Sequence, residues 1–470
     1  MSRSLNSHCQ REGAAMIIVQ QSAQSLKSFI GKTALSPFAQ KMVMRIVLAF
    51  LLHRGRMSCS SAAGMIASEP LHRSQVTRFL ARPRWRSGNF NDVLRGALLE
   101  MEAVIGGRFL FIVDGSMFSK SGIKTQNTYS TGNRKPHSKK SRRYNKKKVR
   151  RTRVHNFTFG LLITPSGYRI PYQIPHYTQA YCEKKNLVHK TTAEAAAELI
   201  LSLPLPQNAD VIVLGDTAYD AKTVRNACDT RGYKWIVPAN SERVYEGEKG
   251  NRPKLRSRLK DWAGLSLKTI RLRAATGKYA GYRRLSRWRV GPKMKTRTYY
   301  AYQEKCEVRS VGRVQLILST MKPELKKATP DDVKILMTNA TDMNLSEVIE
   351  LYSIRWQIEL FFKEIKSTLH AGHYQFEQFP AVQGWMDCVL TTVLYLEHLR
   401  ARRLKDGRLS KERRRWWQTQ RLHGLREAFI QDCKAAELKY LSKRLETSGG
   451  IKKMKRLLND AIPKEFRAAG

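Results

Sequence analysis

The chain has 470 residues, and its 86 lysines and arginines outnumber its 38 aspartates and glutamates to give a formal charge of +48. This length accommodates several domains, and the charge favours a polyanion, above all nucleic acid, as the partner. Membrane spans, ATP and zinc are not implied, because the sequence has no long apolar run, no phosphate-binding glycine loop, no HExxH motif and no CxxC spacing among its seven cysteines.

The N-terminal region, residues 1–105, is predicted to be mostly helical and to bind DNA. Residues 39–53 have the periodicity of an amphipathic helix, and two short helices follow within residues 60–82, with Ser74 as a candidate cap. The second short helix presents Arg78, Arg82 and Arg84. A helix-turn-helix that reads DNA and a plain helical packing unit both fit this pattern.

An apolar strand opens the next predicted unit, the first part of a catalytic core over residues 106–240. The run RFLFIVDGS ends on Asp114 beside Gly115, so a carboxylate emerges at a strand end where the backbone can be approached closely. An aspartate in this position is often only a turn former. Asp114 is therefore a candidate site residue whose assignment depends on partners elsewhere in the chain.

The loop after this strand is strongly basic. Residues 134–153 contain 12 lysines and arginines and no acid, and Tyr129 and Tyr144 add candidate stacking groups. A solvated charge run and a clamp on the DNA backbone are the two readings of this composition, and proximity to an active-site strand favours the clamp. The candidate DNA-binding residues of the loop are Lys139, Lys140, Arg142, Arg143, Lys146, Lys147 and Lys148.

A second buried strand also ends on an acid. The run VIVLGD places Asp216 next to Gly215, and Asp220 follows as the predicted cap of the next helix. The elements around this strand are predicted as a hairpin of residues 154–163 and 168–174, a helix at 191–202, a helix at 222–231 and a strand at 234–240.

The remainder of the chain is predicted as three units. Residues 241–320 alternate basic with apolar or aromatic positions and indicate a β-rich insertion, in which Trp288 is a candidate for the core. Residues 321–400 return to the catalytic core. Residues 401–470 form a basic helical region in which Trp416 and Trp417 suit packing or an interface, and DNA contact, protein pairing and a solubilising tail are the alternatives.

Residues 344–369 are predicted to form one long helix, with Asn344 as its cap and Glu347 at the capping-box position. An apolar arc that should face the core consists of Ile354, Ile358, Phe361, Phe362, Ile365 and Leu369. Beside it, four polar residues fall within about 60° of one another, with Glu364 on the opposite side. These four are Tyr352, Arg355, Glu359 and Lys366. They form either a solvated helix face or a metal-binding carboxylate flanked by phosphate-binding groups.

The spacing of these four residues resembles the YREK signature of bacterial insertion-sequence DDE transposases. The resemblance implies a ribonuclease-H-like core, an α/β fold in which a mixed sheet carries flanking helices, a β-rich insertion and helical N- and C-terminal regions. It implies that Glu359 is the last of three metal-binding catalytic acids, with Asp114 and Asp216 presented by adjacent strands. The residues that would contact DNA beside them are Tyr352, Arg355 and Lys366.

The resemblance also implies a reaction and its partners. Two Mg²⁺ or Mn²⁺ ions per active site would support cut-and-paste excision, with release of a 3′-hydroxyl, a hairpin at the element end and strand transfer. The partners would be the terminal inverted repeats and target DNA, bound by a homodimer in the bacterial cytoplasm at the nucleoid, without ATP or a membrane. A domesticated or inactive DNA-binding protein and a ribonuclease-H-like nuclease are the alternatives.

Overall fold

The computed structural model describes most of the chain between its two ends. The described residues are 23–66, 70–86, 89–131 except 121 and 123, 152–246, 253–257, 267–273, 278–284, 296–323, 332–446, 449 and 452. The statements below refer to these ranges.

The N-terminal region is helical, as the sequence predicts. Its helices are α1 (Gln24–Ile30), α2 (Pro37–Leu52), α3 (Cys59–Ala63), α4 (Arg73–Ala81) and α5 (Phe90–Leu99). Ser36 caps α2 by accepting from the backbone NH of Ala39 at 3.3 Å. The prediction that Ser74 caps α4 is wrong. His72 occupies the cap position, and its ring accepts from the backbone NH of Ser74. Both ends of α4 leave arginines exposed to solvent.

A large mixed sheet forms the centre of the molecule. Its strands are β1 (Phe109–Lys120), β2 (Tyr129–Thr131), β3 (Thr152–Ile163), β4 (Arg169–Pro175), β5 (Val211–Leu214), β6 (Lys234–Pro238), β7 (Lys268–Leu272), β8 (Arg297–Val308), β9 (Gly312–Thr320) and β10 (Val333–Thr338). Their order is β2-β3-β1-β5-β6-β10-β9-β8-β7, with β4 also paired to β3. Strands β1, β5 and β6 run parallel to one another, and the other pairings are antiparallel. The mixed α/β fold class predicted from the sequence is confirmed.

The predicted hairpin is formed by β3 and β4. Its turn is closed by a hydrogen bond from the backbone NH of Gly167 to the carbonyl of Thr164 at 2.7 Å. Gly167 has a φ of +76°, a conformation that favours glycine over residues with a side chain. The hairpin brings Arg169, the first residue of β4, into the interior, where it is fully buried.

Three helices alternate with the core strands along the chain. Helices α6 (Gln179–Lys185) and α7 (Thr192–Leu201) come between β4 and β5, and α8 (Lys222–Thr230) comes between β5 and β6. Thr191 and Glu194 form a capping box at the start of α7. The prediction that Asp220 caps α8 is wrong, because Ala221 occupies the cap position and Asp220 is instead a buried ion-pair partner. Its carboxylate accepts from Arg225 and Arg243, each at 2.5 Å.

The strands of the β-rich segment, β7 to β9, extend the central sheet. Strand β9 pairs with β10 over six residue pairs that run from Val333↔Thr320 to Thr338↔Gln315. Because β10 also pairs with β6, the segment continues the hydrogen-bonded ladder of the core. Trp288 lies outside the described residues.

The predicted long helix is two helices, α9 (Leu345–Ile354) and α10 (Trp356–Ser367). Arg355 lies at the junction, where the backbone NH groups of Arg355 and Ile358 bond to carbonyls three residues earlier rather than four. This local tightening is a 3₁₀-type turn, and periodicity alone does not reveal it. Asn344 caps α9 as predicted, accepting from the backbone NH of Glu347 at 2.9 Å. All six residues of the predicted apolar arc are buried.

The C-terminal part packs on the core through α11 (Phe379–Lys405), α12 (Lys411–Thr419) and α13 (Leu422–Leu445). Helix α11 is buried along most of its length, and it contacts the N-terminal helices as well as β4. Trp417 is buried, and its ring meets the more exposed Trp416 edge to face at 5.0 Å. None of the described helices is both long and apolar enough to cross a bilayer.

Candidate active site

The sequence predicted the first candidate acid at the end of a strand, but the structure places it inside β1. Asp114 pairs with Phe159 of β3, and β1 continues to Lys120. On its other side β1 pairs with β5 only as far as Ile112↔Leu214. Because β1 continues where β5 stops, Asp114 lies just beyond the end of its parallel neighbour. The carboxylate therefore reaches the edge of the sheet although the strand goes on.

The second candidate acid lies at the same edge. The register Ile112↔Leu214 places Asp114 and Asp216 level with each other, each two residues beyond the last parallel pair. Asp216 begins a 3₁₀ turn (Thr217–Tyr219), and its carboxylate accepts from the backbone NH of Ala218 at 2.9 Å. Asp114 accepts from the backbone NH of Gly115 at 2.8 Å. Each carboxylate is thus oriented by its own backbone.

Helix α10 brings the third acid to this edge through an arginine. Arg355 donates to Asp114 at 3.2 Å and to Glu359 at 2.6 Å, so one guanidinium joins the strand carboxylate to the helix carboxylate. The side chains of Asp114 and Glu359 are 17% and 31% exposed, which leaves both accessible from solvent. The structure therefore assembles residues that are 241 positions apart in the chain.

The negative charges of the three candidate acids act on one another. Burial raises the pKa of Asp114 to about 6, and the negative charges of Asp216 and Glu359 act in the same direction. The backbone NH of Gly115 and the guanidinium of Arg355 oppose this rise. Carboxylates that repel one another in this way are stabilised by any cation that enters between them.

The phenol of Tyr352 also belongs to this group. Burial raises the pKa of Tyr352 to about 12, Arg355 opposes the rise, and Asp216 and Asp114 add to it. The ammonium of Lys334, at the start of β10, lies 5.1 Å from the centre of the Tyr352 ring. Sequence reasoning missed Lys334, since no motif includes it.

Lys366, on α10, contacts β1 at a point three residues beyond Asp114. Its ammonium donates to the carbonyl of Met117 at 2.9 Å and lies 4.9 Å from the centre of the Phe118 ring. Burial lowers its pKa. The structure thus groups Tyr352, Arg355 and Glu359 around the aspartates and places Lys366 on the outer half of the strand.

The candidate DNA-binding residues of the basic loop, Lys139, Lys140, Arg142, Arg143, Lys146, Lys147 and Lys148, lie outside the described residues. The loop leaves the sheet after β2 and returns at β3, which pairs directly with β1. The end that returns is therefore anchored on the direct neighbour of the strand that carries Asp114, and the end that leaves is one strand further out.

The donor set suits a hard divalent cation. Asp114, Asp216 and Glu359 offer carboxylate oxygens only, the ligands that Mg²⁺ and Mn²⁺ prefer. Burial and the neighbouring carboxylates raise the pKa of Asp114, and a bound cation would offset both by stabilising the charged carboxylate. In the described ranges no three His, Cys, Asp or Glu side chains are placed to hold a metal ion together, and Arg355 provides the positive charge between two of the acids.

Comparison with known proteins identifies the family. The family model described as a transposase DDE domain matches residues 107–394, which is more than half of the chain and includes all three candidate acids. No curated protein sequence matches the chain. The match begins just before β1 and ends within α11, so it covers the sheet, the strand-rich segment and the helix pair α9–α10. The chain therefore belongs to the DDE transposases, a family of enzymes that act on DNA and use divalent metal ions.

Proposed function

We propose that this transposase excises and inserts a DNA element by metal-dependent phosphoryl transfer, with Asp114, Asp216 and Glu359 as its catalytic, metal-binding acids. The observation that carries the proposal is the meeting of the three acids at one edge of the sheet, where Arg355 bridges Asp114 and Glu359. When bound there, Mg²⁺ or Mn²⁺, at two ions per site, supplies activation of the attacking oxygen and stabilisation of the leaving oxygen.

The remaining work of the site is positioning. Backbone NH groups of Gly115 and Ala218 hold the two aspartates in place before any ligand arrives. Arg355 can exchange a carboxylate for a phosphate, because both are bidentate acceptors for a guanidinium. Lys366 and Tyr352 supply further phosphate and base contacts on either side of the acids. A rigid, charged site of this kind accelerates phosphoryl transfer by alignment and electrostatic stabilisation.

The proposal includes the finer features of the YREK group. These are release of a 3′-hydroxyl, cleavage of the second strand through a hairpin at the element end, and strand transfer into target DNA. Two element ends must be held together for insertion, so the protein acts as a homodimer on DNA, without ATP. The basic loop of residues 139–148 clamps the backbone of that DNA through contacts that do not depend on sequence.

The test is cleavage of a labelled duplex that carries the inverted repeats flanking the gene, in Mg²⁺. We expect the wild type to produce a 3′-hydroxyl and a hairpinned end, and Glu359→Gln to bind the same DNA but to cleave at least 1000-fold more slowly. Glu183→Gln is the matched control, since Glu183 is an exposed glutamate on α6, far along the chain from the site. It should cleave like the wild type.

The other outcomes separate the alternatives. Cleavage by Glu359→Gln at the wild-type rate would refute the site assignment. Binding without cleavage by the wild type would indicate a domesticated or inactive DNA-binding protein. Cleavage of any duplex, whether or not it carries the repeats, would indicate a ribonuclease-H-like nuclease.

A further inference from the structure

Strand β10 brings a lysine to the edge of the sheet where the candidate acids meet. β10 runs antiparallel to β6, with Leu336 opposite Pro238, so Lys334 extends past the end of β6. β6 is parallel to β5, and Asp216 extends past the end of β5 in the same direction. Lys334 and Asp216 therefore lie at one edge, two strand spacings or about 10 Å apart across the sheet.

The side chain of Lys334 is directed at the site. Its ammonium lies 5.1 Å from the centre of the Tyr352 ring, within the range of a cation–π contact. The charges of Arg355, Glu359 and Asp216 all act on it. Lys334 is thus a cation on the β10 side of the acids, whereas Arg355 contacts two of them from the opposite side and Lys366 lies beyond it on α10.

Lys334 is also available for a ligand. Within the described ranges its ammonium makes no hydrogen bond and no ion pair, and the residue is exposed. Arg355 and Lys366, by contrast, are already bonded to protein oxygens. A lysine ammonium is a strong phosphate binder when it is free to donate its protons.

We propose that Lys334 is a further phosphate-binding residue of the active site, which contacts the backbone of the DNA strand on the side of Asp216. DNA that enters between β10 and α10 would meet Lys334 on one flank and Arg355 with Lys366 on the other. Such a pair of flanks fixes the lateral position of a strand, and one cation alone does not. The proposal rests on the proposed function to the extent that DNA occupies this edge of the sheet.

The experiment maps single phosphates by binding, without added metal. Duplexes carrying the inverted repeat have one phosphate at a time replaced by a neutral methylphosphonate, and affinity is measured for the wild type and Lys334→Ala. We expect one replacement near the element end to weaken wild-type binding about tenfold and to leave Lys334→Ala unaffected. The slope of log affinity against log salt should fall by about 0.9 in Lys334→Ala, the value for one lost phosphate contact.

Two further variants act as controls. Lys334→Arg should retain the wild-type pattern, because a guanidinium also binds phosphate. Lys234→Ala removes a lysine at the start of β6, at the opposite edge of the sheet, where its ammonium pairs with Asp342 at 3.2 Å. That variant should keep the wild-type salt slope and affinity.

The result that would overturn the proposal is a methylphosphonate profile in Lys334→Ala that matches the wild type at every position, with an unchanged salt slope. Cleavage is measured in parallel and tests the proposed function separately. A wild type that binds but does not cleave refutes the proposed function, while the binding profile still decides whether Lys334 contacts a phosphate. In a cleaving wild type, we expect Lys334→Ala to slow single-turnover cleavage about 10- to 100-fold.

Discussion

The two faces of α10 each carry a glutamate, and the two glutamates differ in burial and in ion-pair partners. Glu359 is ion-paired to Arg355, and 31% of its side chain is exposed. Glu364, five residues later, is only 6% exposed and is held by Arg169 at 3.0 Å and by Arg421 at 2.5 Å. The same residue type is accessible to solvent on one face and buried between arginines on the other.

The internal partners form a buried charge cluster, which we define as Arg169, Arg284, Glu364, Glu397 and Arg400. Glu397 is completely buried, and it accepts from Arg400 at 2.7 Å and from Arg169 at 3.3 Å, with Arg284 at 3.6 Å. The arginines also donate to backbone carbonyls, including that of Gly167. The cluster joins the β3–β4 hairpin to α10 and α11.

The difference between the faces shows how this fold divides its charges. Buried ion pairs give weak net stability but make removal of either partner costly, so they fix the arrangement of the elements they join. Exposed ion pairs contribute little and can be exchanged. The buried face therefore holds α10 against the hairpin, while Arg355 and Glu359 on the other face remain able to change partners, as the proposed function requires.

The largest expected effect is on the buried side. Glu397→Gln removes a charge that three buried arginines share, and we expect it to lower the free energy of unfolding by about 3–5 kcal/mol. Glu359→Gln is the comparison on the open face, and we expect its free energy of unfolding to stay within about 1 kcal/mol of the wild type. Chemical denaturation of both variants measures the contrast, and equal losses would contradict it.

A second variant guards against the case in which Glu397→Gln does not fold. Replacing Glu397 and Arg169 together by methionine removes one charge of each sign and substitutes apolar volume. We expect the double variant to be more stable than Glu397→Gln, because removing one arginine together with the glutamate keeps the net charge of the cluster at its wild-type value. A double variant that is less stable would show that the cluster stabilises the fold in a way that apolar packing cannot replace.

An intermediate effect is expected on the open face, and it depends on pH. The pKa of Asp114 is raised from its ordinary value of 3.8 to about 6, so the folded protein binds this proton more tightly than the unfolded chain. Stability is therefore lost as pH rises from about 4 to 6, and the deficit stays constant above that. We expect Asp114→Asn to be more stable than the wild type by about 1–2 kcal/mol at pH 7.

Denaturation of the metal-free proteins across this pH range measures the difference. It should vanish below about pH 3, where Asp114 is neutral in both the folded and the unfolded chain. Added Mg²⁺ should reduce the difference at pH 7, because a bound cation stabilises only the charged carboxylate. A difference that is the same at pH 4 and pH 7 would be inconsistent with the raised pKa.

The smallest expected effect is at the margin of the buried cluster. Arg421 bonds to Glu364 but is 22% exposed, so water can replace it in part. Arg421→Ala should lower the free energy of unfolding by about 1 kcal/mol, since Arg169 remains to pair with Glu364. A loss as large as that of Glu397→Gln would place Arg421 within the buried cluster.

Local patterns predicted most of the elements and several of the site residues. The structure contains the hairpin, the apolar arc of α9–α10 and the two apolar runs before Asp114 and Asp216, and each of these patterns depends on neighbours in sequence. The predictions that failed are also local in origin. The helix break at Arg355 comes from a change in backbone hydrogen bonding. Asp220 does not cap a helix because its carboxylate binds two arginines, one of which, Arg243, lies 23 residues away.

The sequence by itself determined which residues face a core and which carry chemistry, because periodicity and residue type are properties of short segments. Only the tertiary structure decided what each of those residues meets. The level placement of Asp114 and Asp216 depends on the parallel pairing of β1 with β5, and the position of Lys334 depends on the strand order β5-β6-β10. Likewise Glu359 and Glu364 look alike in the sequence, and the burial of Arg169 beneath α10 is what separates an accessible carboxylate from an internal one.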